Sequence, residues 1–496
     1  MTTPDWVQDA IFYQIFPDRF AKSTRNPAGT MPFESWDSPP TVHGFKGGDL
    51  FGIAEKLDYL KDLGVTALYL NPIFASASNH RYHAYDYYAV DPLLGGNEAF
   101  TELLEKAHKK DIRIILDGVF NHASRGFWQF HHVLECGNGS PYTDWFFFDP
   151  ERLNRHKHWG AYPSPHELKA LQHEDSLTAI GYRGWWNLPA LPKFNTNTPA
   201  VREFLFGVAE HWVKFGIDGW RLDVPTEIDD DSFWQEFRNR VRAINPEAYI
   251  VGEIWHESQR WLQGDQFDAI MNYDVTKPIL GFFPGKHLDL RVLHQQSNYR
   301  GIQHAIDAHE FANQIDHNLQ LYKPDITSAQ LNLLDSHDTP RFLSCASGDK
   351  DALKLAWLFL FTYPGTPCIY YGDEIGIDGE HDPGCRKSFP WNESKWDNNL
   401  RSYVKDAIAL RKQNQALRRG GFQRLWSTDG TYAFSRFLGE NTLVVGLNAS
   451  ESPQQVAVTY EAKSHPKILF GEASDVSVSD SRLNFKIPAR CGVVLK

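Results

Sequence analysis

The sequence predicts an α/β fold in which an eight-stranded (β/α)8 TIM barrel carries an inserted subdomain after its third strand and a C-terminal antiparallel β-sandwich domain. Three observations support this prediction. Between residues 10 and 376, short β-branched or aromatic runs alternate with longer segments of helical periodicity. The connection over residues 121–187 is too long for a simple barrel loop. After residue 417, short alternating runs are separated by Gly, Asn and Asp turns.

The barrel prediction rests on eight candidate strands. They cover residues 11–16, 67–71, 112–119, 219–224, 249–254, 269–273, 331–336 and 368–371. Eight strands that alternate with helices match the number that closes a β/α barrel. We therefore assign residues 1–120 and 188–416 to the barrel, 121–187 to the inserted subdomain and 417–496 to the C-terminal β domain.

Local signals predict where two helices begin. Asp49 precedes an apolar-periodic segment from Leu50, and Asn97 with Glu98 is predicted to cap a second helix. The connection over residues 274–329 is expected to contain a helix and additional loop structure.

Composition excludes some partner classes. The 496 residues carry a net charge of −12, whereas binding to nucleic acid or anionic lipid needs clustered Lys and Arg. Aromatic residues make up 14% of the chain and include 16 Trp. Flat rings with polar edges suit a ligand with C–H faces and hydroxyls, although a large aromatic core explains the same composition.

The first residues and the cysteines predict a soluble, cytoplasmic protein. Residues 1–9 are polar and lack the basic start and apolar stretch of a secretion signal. No apolar run approaches the roughly 20 residues that span a bilayer. The 5 Cys are scattered, without C-x-x-C spacing for zinc, and free thiols fit a reducing compartment.

Ionisable residues stand at the predicted C-terminal ends of four strands, where β/α barrels place their functional groups. Strand alternation puts Arg221 and Asp223 on one face. A single Asp at a strand end is as often a helix cap, but several like charges at one barrel mouth cost stability and indicate function. The predicted site consists of His122, Arg221, Asp223, Glu253, His337 and Asp338.

Paired carboxyl groups in such a site indicate glycoside cleavage. One carboxylic acid protonates the leaving oxygen, and one carboxylate attacks or stabilises the anomeric carbon. Arg221 favours the ionised form of Asp223, whereas two neighbouring anions favour a protonated Glu253. The sequence therefore predicts opposed surroundings for the two carboxyls. His122 and His337, taken alone, are more often structural residues.

Four ordered blocks in the chain resemble the signature blocks of the α-amylase family. They are DGVFNH at 117–122, GWRLD at 219–223, GEIWH at 252–256 and SHDTPR at 336–341. A further block, LPKFN at 191–195, is similar to that of the neopullulanase, cyclomaltodextrinase and maltogenic amylase subgroup. The resemblance covers the chain from about residue 5 to its end.

The resemblance implies a role for each matching residue. Asp223 would be the nucleophile, Glu253 the general acid/base and Asp338 the transition-state stabiliser. The residues that would bind the sugars are His122, Arg221 and His337 at the cleavage subsite, Tyr82 as an aromatic platform beneath it, and Asp382 with Arg386 at the next sugar towards the non-reducing end. The implied mechanism is retaining, with the two carboxyls roughly 5–5.5 Å apart.

The chain departs from the subgroup in two places that bear on specificity and assembly. Relatives carry a β domain before the barrel that helps to form a dimer, whereas this chain begins almost directly with the first strand. The sequence therefore leaves open whether the chain forms a homodimer. Residues 224–227 read VPTE, where the subgroup has Ala-Asn between Val and Glu. The preference between α-1,4 and α-1,6 links is therefore expected to differ.

No cofactor and no metal is predicted. Relatives bind calcium in the first loop through an Asn-Gly-Asp run, whereas this chain has Lys22 there, a poor neighbour for a cation that prefers carboxylate oxygens. Asn121 is left as a ligand for a different calcium site. The histidines at 131–132 and 156–158 are predicted to be solvated polar surface.

The leading hypothesis is a glycoside hydrolase, of neopullulanase, cyclomaltodextrinase or debranching type, acting on α-glucan oligosaccharides. Its expected substrates are cyclomaltodextrins, pullulan, maltooligosaccharides and short branched dextrins, with transglycosylation as a further activity. An isomerase or transferase of trehalose or sucrose on the same fold is the alternative enzyme. A non-catalytic carbohydrate-binding scaffold is the alternative from another class.

Overall fold

The computed structural model describes residues 3–25, 27–155, 160–460 and 466–496. Eight parallel strands form one sheet. They are β1 (Phe12–Ile15), β2 (Ala67–Leu70), β3 (Arg113–Gly118), β4 (Gly219–Leu222), β5 (Tyr249–Gly252), β6 (Ala269–Ile270), β7 (Leu331–Leu333) and β8 (Thr366–Tyr370). Their spatial order is β6-β5-β4-β3-β2-β1-β8-β7, and a parallel bridge between Met271 and Leu331 joins the two outer strands. The predicted barrel is therefore confirmed.

The strands are shorter than predicted at their C-terminal ends. The predicted strand 269–273 pairs over only two residues, Ala269 and Ile270, because a helix already begins at Tyr273. Residues that follow the strands are thus free to turn their side chains into the barrel mouth.

Helices surround the barrel. The principal ones are Leu50–Glu55, Leu57–Leu63, Gly96–Lys109, Pro199–Phe215, Asp231–Ile244, Tyr273–Phe282, Ala308–Gln320, Pro324–Ala329, Lys350–Thr362, Asn398–Gln413 and Gln415–Arg419. Asp49 caps its helix as predicted and accepts from Gly52 N at 2.8 Å. The prediction for Asn97 was wrong: Gly95 occupies the cap position, and Asn97 Oδ1 accepts instead from Val90 N at 2.8 Å.

The described residues between β3 and the helix Pro199–Phe215 include four short α-helices and several isolated bridges. The helices are Trp128–Cys136, Pro150–Arg155, Pro165–Ala170 and Ser176–Ile180. Bridges join His122 to Lys193 and Gly184 to Pro192. The first bridge holds the segment against the residues that follow β3, beside the barrel mouth, and the second lies within the segment.

The C-terminal part is antiparallel. Its strands are β9 (Gly421–Thr428), β10 (Thr431–Leu438), β11 (Asn441–Asn448), β12 (Gln454–Thr459), β13 (Ile468–Gly471), β14 (Ser474–Ser479), β15 (Arg482–Ile487) and β16 (Cys491–Leu495). They form a five-stranded sheet, β9-β10-β11-β16-β13, and a three-stranded sheet, β12-β15-β14. Alternating residues such as Val456, Val458 and Phe485 are buried in a shared apolar core, so the predicted β domain is confirmed.

Among the described residues, none of the helices combines the length and the continuous apolar surface that crossing a bilayer requires.

Candidate active site

The fully buried Arg221 contacts several carboxyl groups at the barrel mouth. Parallel register aligns Asp117 of β3 with Arg221 of β4, which brings the two side chains to 2.8 Å. Arg221 Nη1 also lies 3.1 Å from Asp223 Oδ1, and its Nη2 lies 2.9 Å from Glu253 Oε2. Three carboxyl groups from three consecutive strands therefore contact one guanidinium group.

Backbone strain follows Asp223 directly. Val224 has φ 36° and ψ 52°, a left-handed conformation that is unfavourable for a β-branched residue. In this conformation its N–H donates to Glu253 Oε2 at 3.1 Å. Trp255 Nε1 donates to the other oxygen of Glu253, also at 3.1 Å. Both oxygens of Glu253 are thus held, whereas Asp223 Oδ2 is buried without a hydrogen-bond partner among the described residues.

The sequence predicts charges that favour an ionised Asp223 and a protonated Glu253, and the structure does not show this contrast. Burial raises the pKa of Asp223 well above its ordinary value, and the charges of Glu253 and Asp117 add to the effect. Burial also raises the pKa of Glu253. The prediction was wrong because Arg221 contacts both carboxyls rather than Asp223 alone. The arrangement favours retention of a proton within the cluster.

Asp338 joins the cluster through a chain of hydrogen bonds. Gln14 Nε2 lies 2.9 Å from His337 Nδ1, which makes Nδ1 an acceptor and leaves the proton on Nε2. That Nε2 lies 3.0 Å from Asp338 Oδ2 and 2.6 Å from the Tyr82 hydroxyl. Burial lowers the pKa of His337 well below its ordinary value, so this ring is a neutral hydrogen-bond donor.

Tyr82 lies between the two halves of the site. Its hydroxyl donates to Asp117 Oδ2 at 2.8 Å. Its ring is nearly parallel to that of His337, with centroids 5.4 Å and planes 7° apart. The predicted platform residue therefore connects the carboxyl cluster of β3 and β4 to the β7 end of the barrel.

Asp382 and Arg386 also lie beside Asp338. Arg386 Nη1 is 3.0 Å from Asp382 Oδ1, and its Nη2 is 3.2 Å from Asp338 Oδ1. Arg386 Nε donates to the backbone oxygen of His337 at 2.9 Å. The guanidinium group thereby holds two partly exposed carboxylates at the edge of the cleft.

His122 follows β3, and its ring contacts the inserted segment. Its ring is stacked on Trp185 with centroids 4.8 Å apart. Burial lowers the pKa of His122 to about 3. Its ring is therefore neutral throughout the range in which enzymes of this chemistry work.

Basic side chains occupy the first loop, where the calcium ligands of relatives are expected. Arg19 pairs with the buried Asp18 at 2.7 Å, and Lys22 Nζ lies 5.4 Å from the Phe33 ring centroid and 5.3 Å from that of Trp36. Across the part of the chain that the structure describes, no group of three or more His, Cys, Asp or Glu residues could hold a metal. Residues 156–158 lie outside that part, since positions 156–159 are not described.

The sequence-based site left out two groups that the structure places in it. Asp117 accepts from Arg221, Tyr82 and Tyr69, and Trp255 contacts Glu253. Period-two alternation along β3 would have found Asp117, since it stands on the inward face opposite Arg221. No local signal distinguishes Trp255 from other residues after a strand.

Comparisons with known proteins agree on a single family. Residues 14–461 match the model of the family Alpha-amylase, described as "Alpha amylase, catalytic domain". A cyclomaltodextrinase of Bacillus sp is 44% identical over 450 residues, which are 90% of this chain and 73% of the relative.

Two solved structures match this chain from end to end. The debranching enzyme of Nostoc punctiforme is 45% identical with a TM-score of 0.89, over 100% of this chain and 99% of that one. The cyclic α-maltosyl-(1→6)-maltose hydrolase of Arthrobacter globiformis is 34% identical with a TM-score of 0.84, over 100% of both chains.

Proposed function

This chain belongs to the α-amylase family, and on that premise we propose that it hydrolyses α-glucosidic links by a retaining mechanism. In the proposal Asp223 is the nucleophile, Glu253 is the general acid/base and Asp338 stabilises the transition state. The observation that carries it is the shared guanidinium group of Arg221, which contacts both Asp223 and Glu253 at 2.9–3.1 Å.

The first step forms a covalent glycosyl-enzyme. Glu253 donates its proton to the glycosidic oxygen while ionised Asp223 Oδ2 attacks the anomeric carbon. The carbon–oxygen bond breaks, and the leaving sugar departs with the proton as its hydroxyl. Asp223 Oδ2 is suited to this attack, since no described residue holds it. His337 Nε2–H and Arg386 hold Asp338 in place beside the positive charge that develops.

The second step releases the sugar. Ionised Glu253 accepts a proton from a water molecule, whose oxygen attacks the anomeric carbon and breaks the ester to Asp223. A sugar hydroxyl in place of water gives transglycosylation. Two inversions leave the product with the α configuration.

Time-resolved proton NMR of a maltooligosaccharide digest tests this mechanism. The α-anomer is expected to form first and mutarotate later. Initial formation of the β-anomer contradicts the proposal. Glu253→Gln is expected to remove turnover, and unchanged turnover in that variant supports the carbohydrate-binding scaffold instead.

We also propose that the substrates include α-1,6 links as well as α-1,4 links. Two of the solved structures that match this chain from end to end are named as a debranching enzyme and as a hydrolase of a cyclic α-maltosyl-(1→6)-maltose. Chromatography of products from cyclomaltodextrin, pullulan, a branched maltooligosaccharide and sucrose separates the possibilities. Action on sucrose alone contradicts the proposal and favours the isomerase or transferase.

Further proposals concern location and ligands. A cytoplasmic location is supported by five cysteines that are all free of disulfides. We propose that the enzyme needs no cofactor. Full activity after dialysis against a chelator is the expected result. A loss of activity that calcium restores contradicts it.

A further inference from the structure

Gln14 on β1 is fully buried, and its amide nitrogen contacts two residues that follow other strands. Nε2 donates to Oδ1 of Asn71, after β2, at 3.0 Å, and lies 2.9 Å from Nδ1 of His337, after β7. An amide nitrogen carries two hydrogens and accepts none, so it donates to both partners. The other amide atom, Oε1, is buried without a hydrogen-bond partner among the described residues. The side chain therefore acts through its nitrogen.

The contacts of Gln14 close into a ring of four side chains. Asn71 Nδ2 donates to the Tyr82 hydroxyl at 3.1 Å, and His337 Nε2 lies 2.6 Å from the same oxygen. Because Tyr82 donates its own proton to Asp117 Oδ2, its oxygen accepts from both neighbours. Every hydrogen bond of the ring therefore runs in one direction, from the Gln14 amide to the Asp117 carboxyl group.

The reversed orientation of the Gln14 amide does not satisfy the same contacts. With Oε1 in the place of Nε2, His337 would carry its proton on Nδ1, and Asn71 would turn its own amide to donate to Gln14. The single Tyr82 proton would then face the Asn71 oxygen and His337 Nε2 as well as its carboxyl partner. His337 Nε2 would also direct a lone pair at Asp338 Oδ2, 3.0 Å away. Buried polar groups are normally satisfied, which selects the orientation with Nε2 towards His337.

We propose that Gln14 is a positioning residue whose amide keeps His337 in the tautomer that directs Nε2–H at Asp338. This inference rests on the α-glucan hydrolase function proposed above and adds a residue that acts on the reaction only through His337. With the proton on Nε2, His337 gives a hydrogen bond to the proposed transition-state stabiliser. With the proton on Nδ1, it would place a lone pair against that carboxyl oxygen and displace it from the sugar.

The tautomer of His337 can be measured directly. Nitrogen NMR of protein labelled with ¹⁵N at histidine separates protonated from bare ring nitrogens, and the signals of His337 are identified by their loss in His337→Asn. The wild type is expected to show a bare Nδ1 and a protonated Nε2. In Gln14→Glu a carboxylate accepts where the amide donated, so the proton is expected on Nδ1. A proton on Nδ1 in the wild type, or a bare Nδ1 in Gln14→Glu, overturns the proposal.

Steady-state kinetics on a maltooligosaccharide compare the wild type, Gln14→Glu and Gln330→Glu. Gln330 is a matched control because it is also buried, at 1% exposure, and directly precedes β7, at the end of the barrel opposite the site. Its Oε1 accepts from Ile270 N at 2.9 Å, a bond that glutamate keeps. Gln14→Glu is expected to lower kcat about 10²-fold and to change KM less than about threefold. Gln330→Glu is expected to keep kcat within about threefold. Equal losses of kcat in both variants, or a change in KM alone, overturn the proposal.

Gln14→Met covers the case in which the buried carboxylate of Gln14→Glu prevents folding. Methionine has a similar length and no charge, and it donates no hydrogen bond. This variant is expected to lose about tenfold in kcat while its circular dichroism spectrum stays that of the wild type. An unchanged kcat in the folded variant overturns the proposal. A wild type that hydrolyses no α-glucan contradicts the proposed function instead, and the tautomer of His337 is still measurable in that protein.

Discussion

Two buried clusters in this barrel share the same chemistry. Each places carboxyl groups around a fully buried arginine near the strand ends. The mouth cluster consists of Arg221, Asp117, Asp223 and Glu253, and the closed cluster consists of Arg341, Asp335 and Asp373. Burial raises the pKa of the carboxyls in both. Burial and a raised pKa therefore do not by themselves identify a catalytic carboxyl.

The surroundings of the clusters separate them. In the closed cluster, Phe342 N donates to Asp335 at 2.6 Å, and Arg341 Nε donates to the backbone oxygen of Cys385 at 3.1 Å. The mouth cluster instead continues through Tyr82 to Asp338, whose side chain is 31% exposed. A catalytic cluster must reach solvent and substrate, whereas a structural one is enclosed by backbone partners.

The largest expected effect is a loss of kcat when Asp223 of the mouth cluster is replaced. Asp223→Asn is expected to lower kcat by at least about 10⁴-fold because an amide cannot form the glycosyl ester. Its melting temperature should stay equal or rise, since the variant removes a buried carboxyl. In contrast, Asp373→Asn is expected to keep kcat within about threefold. A large loss of kcat in that control would mean that both clusters serve catalysis.

The next effect concerns stability. Arg341→Met is expected to lower the free energy of unfolding by about 3–5 kcal/mol because two buried carboxyls lose their cation. Urea denaturation followed by circular dichroism measures the loss. A loss below about 1 kcal/mol would show that Asp335 and Asp373 hold a shared proton and do not need the guanidinium group.

The third prediction concerns how stability depends on pH through Asp373 of the closed cluster. The pKa of Asp373 is raised in the folded state by burial and by the charge of Asp335, while Arg341 opposes the rise. Its contribution to stability is thus present below the ordinary pKa of Asp and is lost as pH rises through the folded pKa. Asp373→Asn is expected to weaken this decline, measured by urea denaturation between pH 4 and about 8. If stability falls with rising pH as steeply in the variant as in the wild type, groups other than Asp373 cause the fall.

The smallest effect concerns the pH profile of activity. The charge of Asp338 raises the pKa of Glu253, in addition to the larger effect of burial. Asp338→Asn removes that charge, so Glu253 loses its proton at lower pH. The alkaline limb of the residual kcat profile is expected to move to lower pH. A shift to higher pH would mean that Glu253 is not the acid that the limb reports.

Much of the fold could be predicted because it is encoded locally. Every barrel strand except β7 contains β-branched or aromatic residues, and all eight were found at nearly the right residues. The ends were less well predicted at β6, where Met271 reads as strand in sequence but forms only a bridge to Leu331. Pairing across a barrel, not the residue's own propensity, decides where such a strand ends.

The sequence by itself determined which ionisable residues follow the strands, since strand alternation and ordered motifs are properties of the chain. Only the tertiary structure decided how those groups share Arg221, which overturned the opposed surroundings predicted for Asp223 and Glu253. It also decided that the ring of Trp185 stacks on the ring of His122. The physical reason is that burial and the distance between charges depend on atoms from separate strands, and barrel closure alone sets those distances.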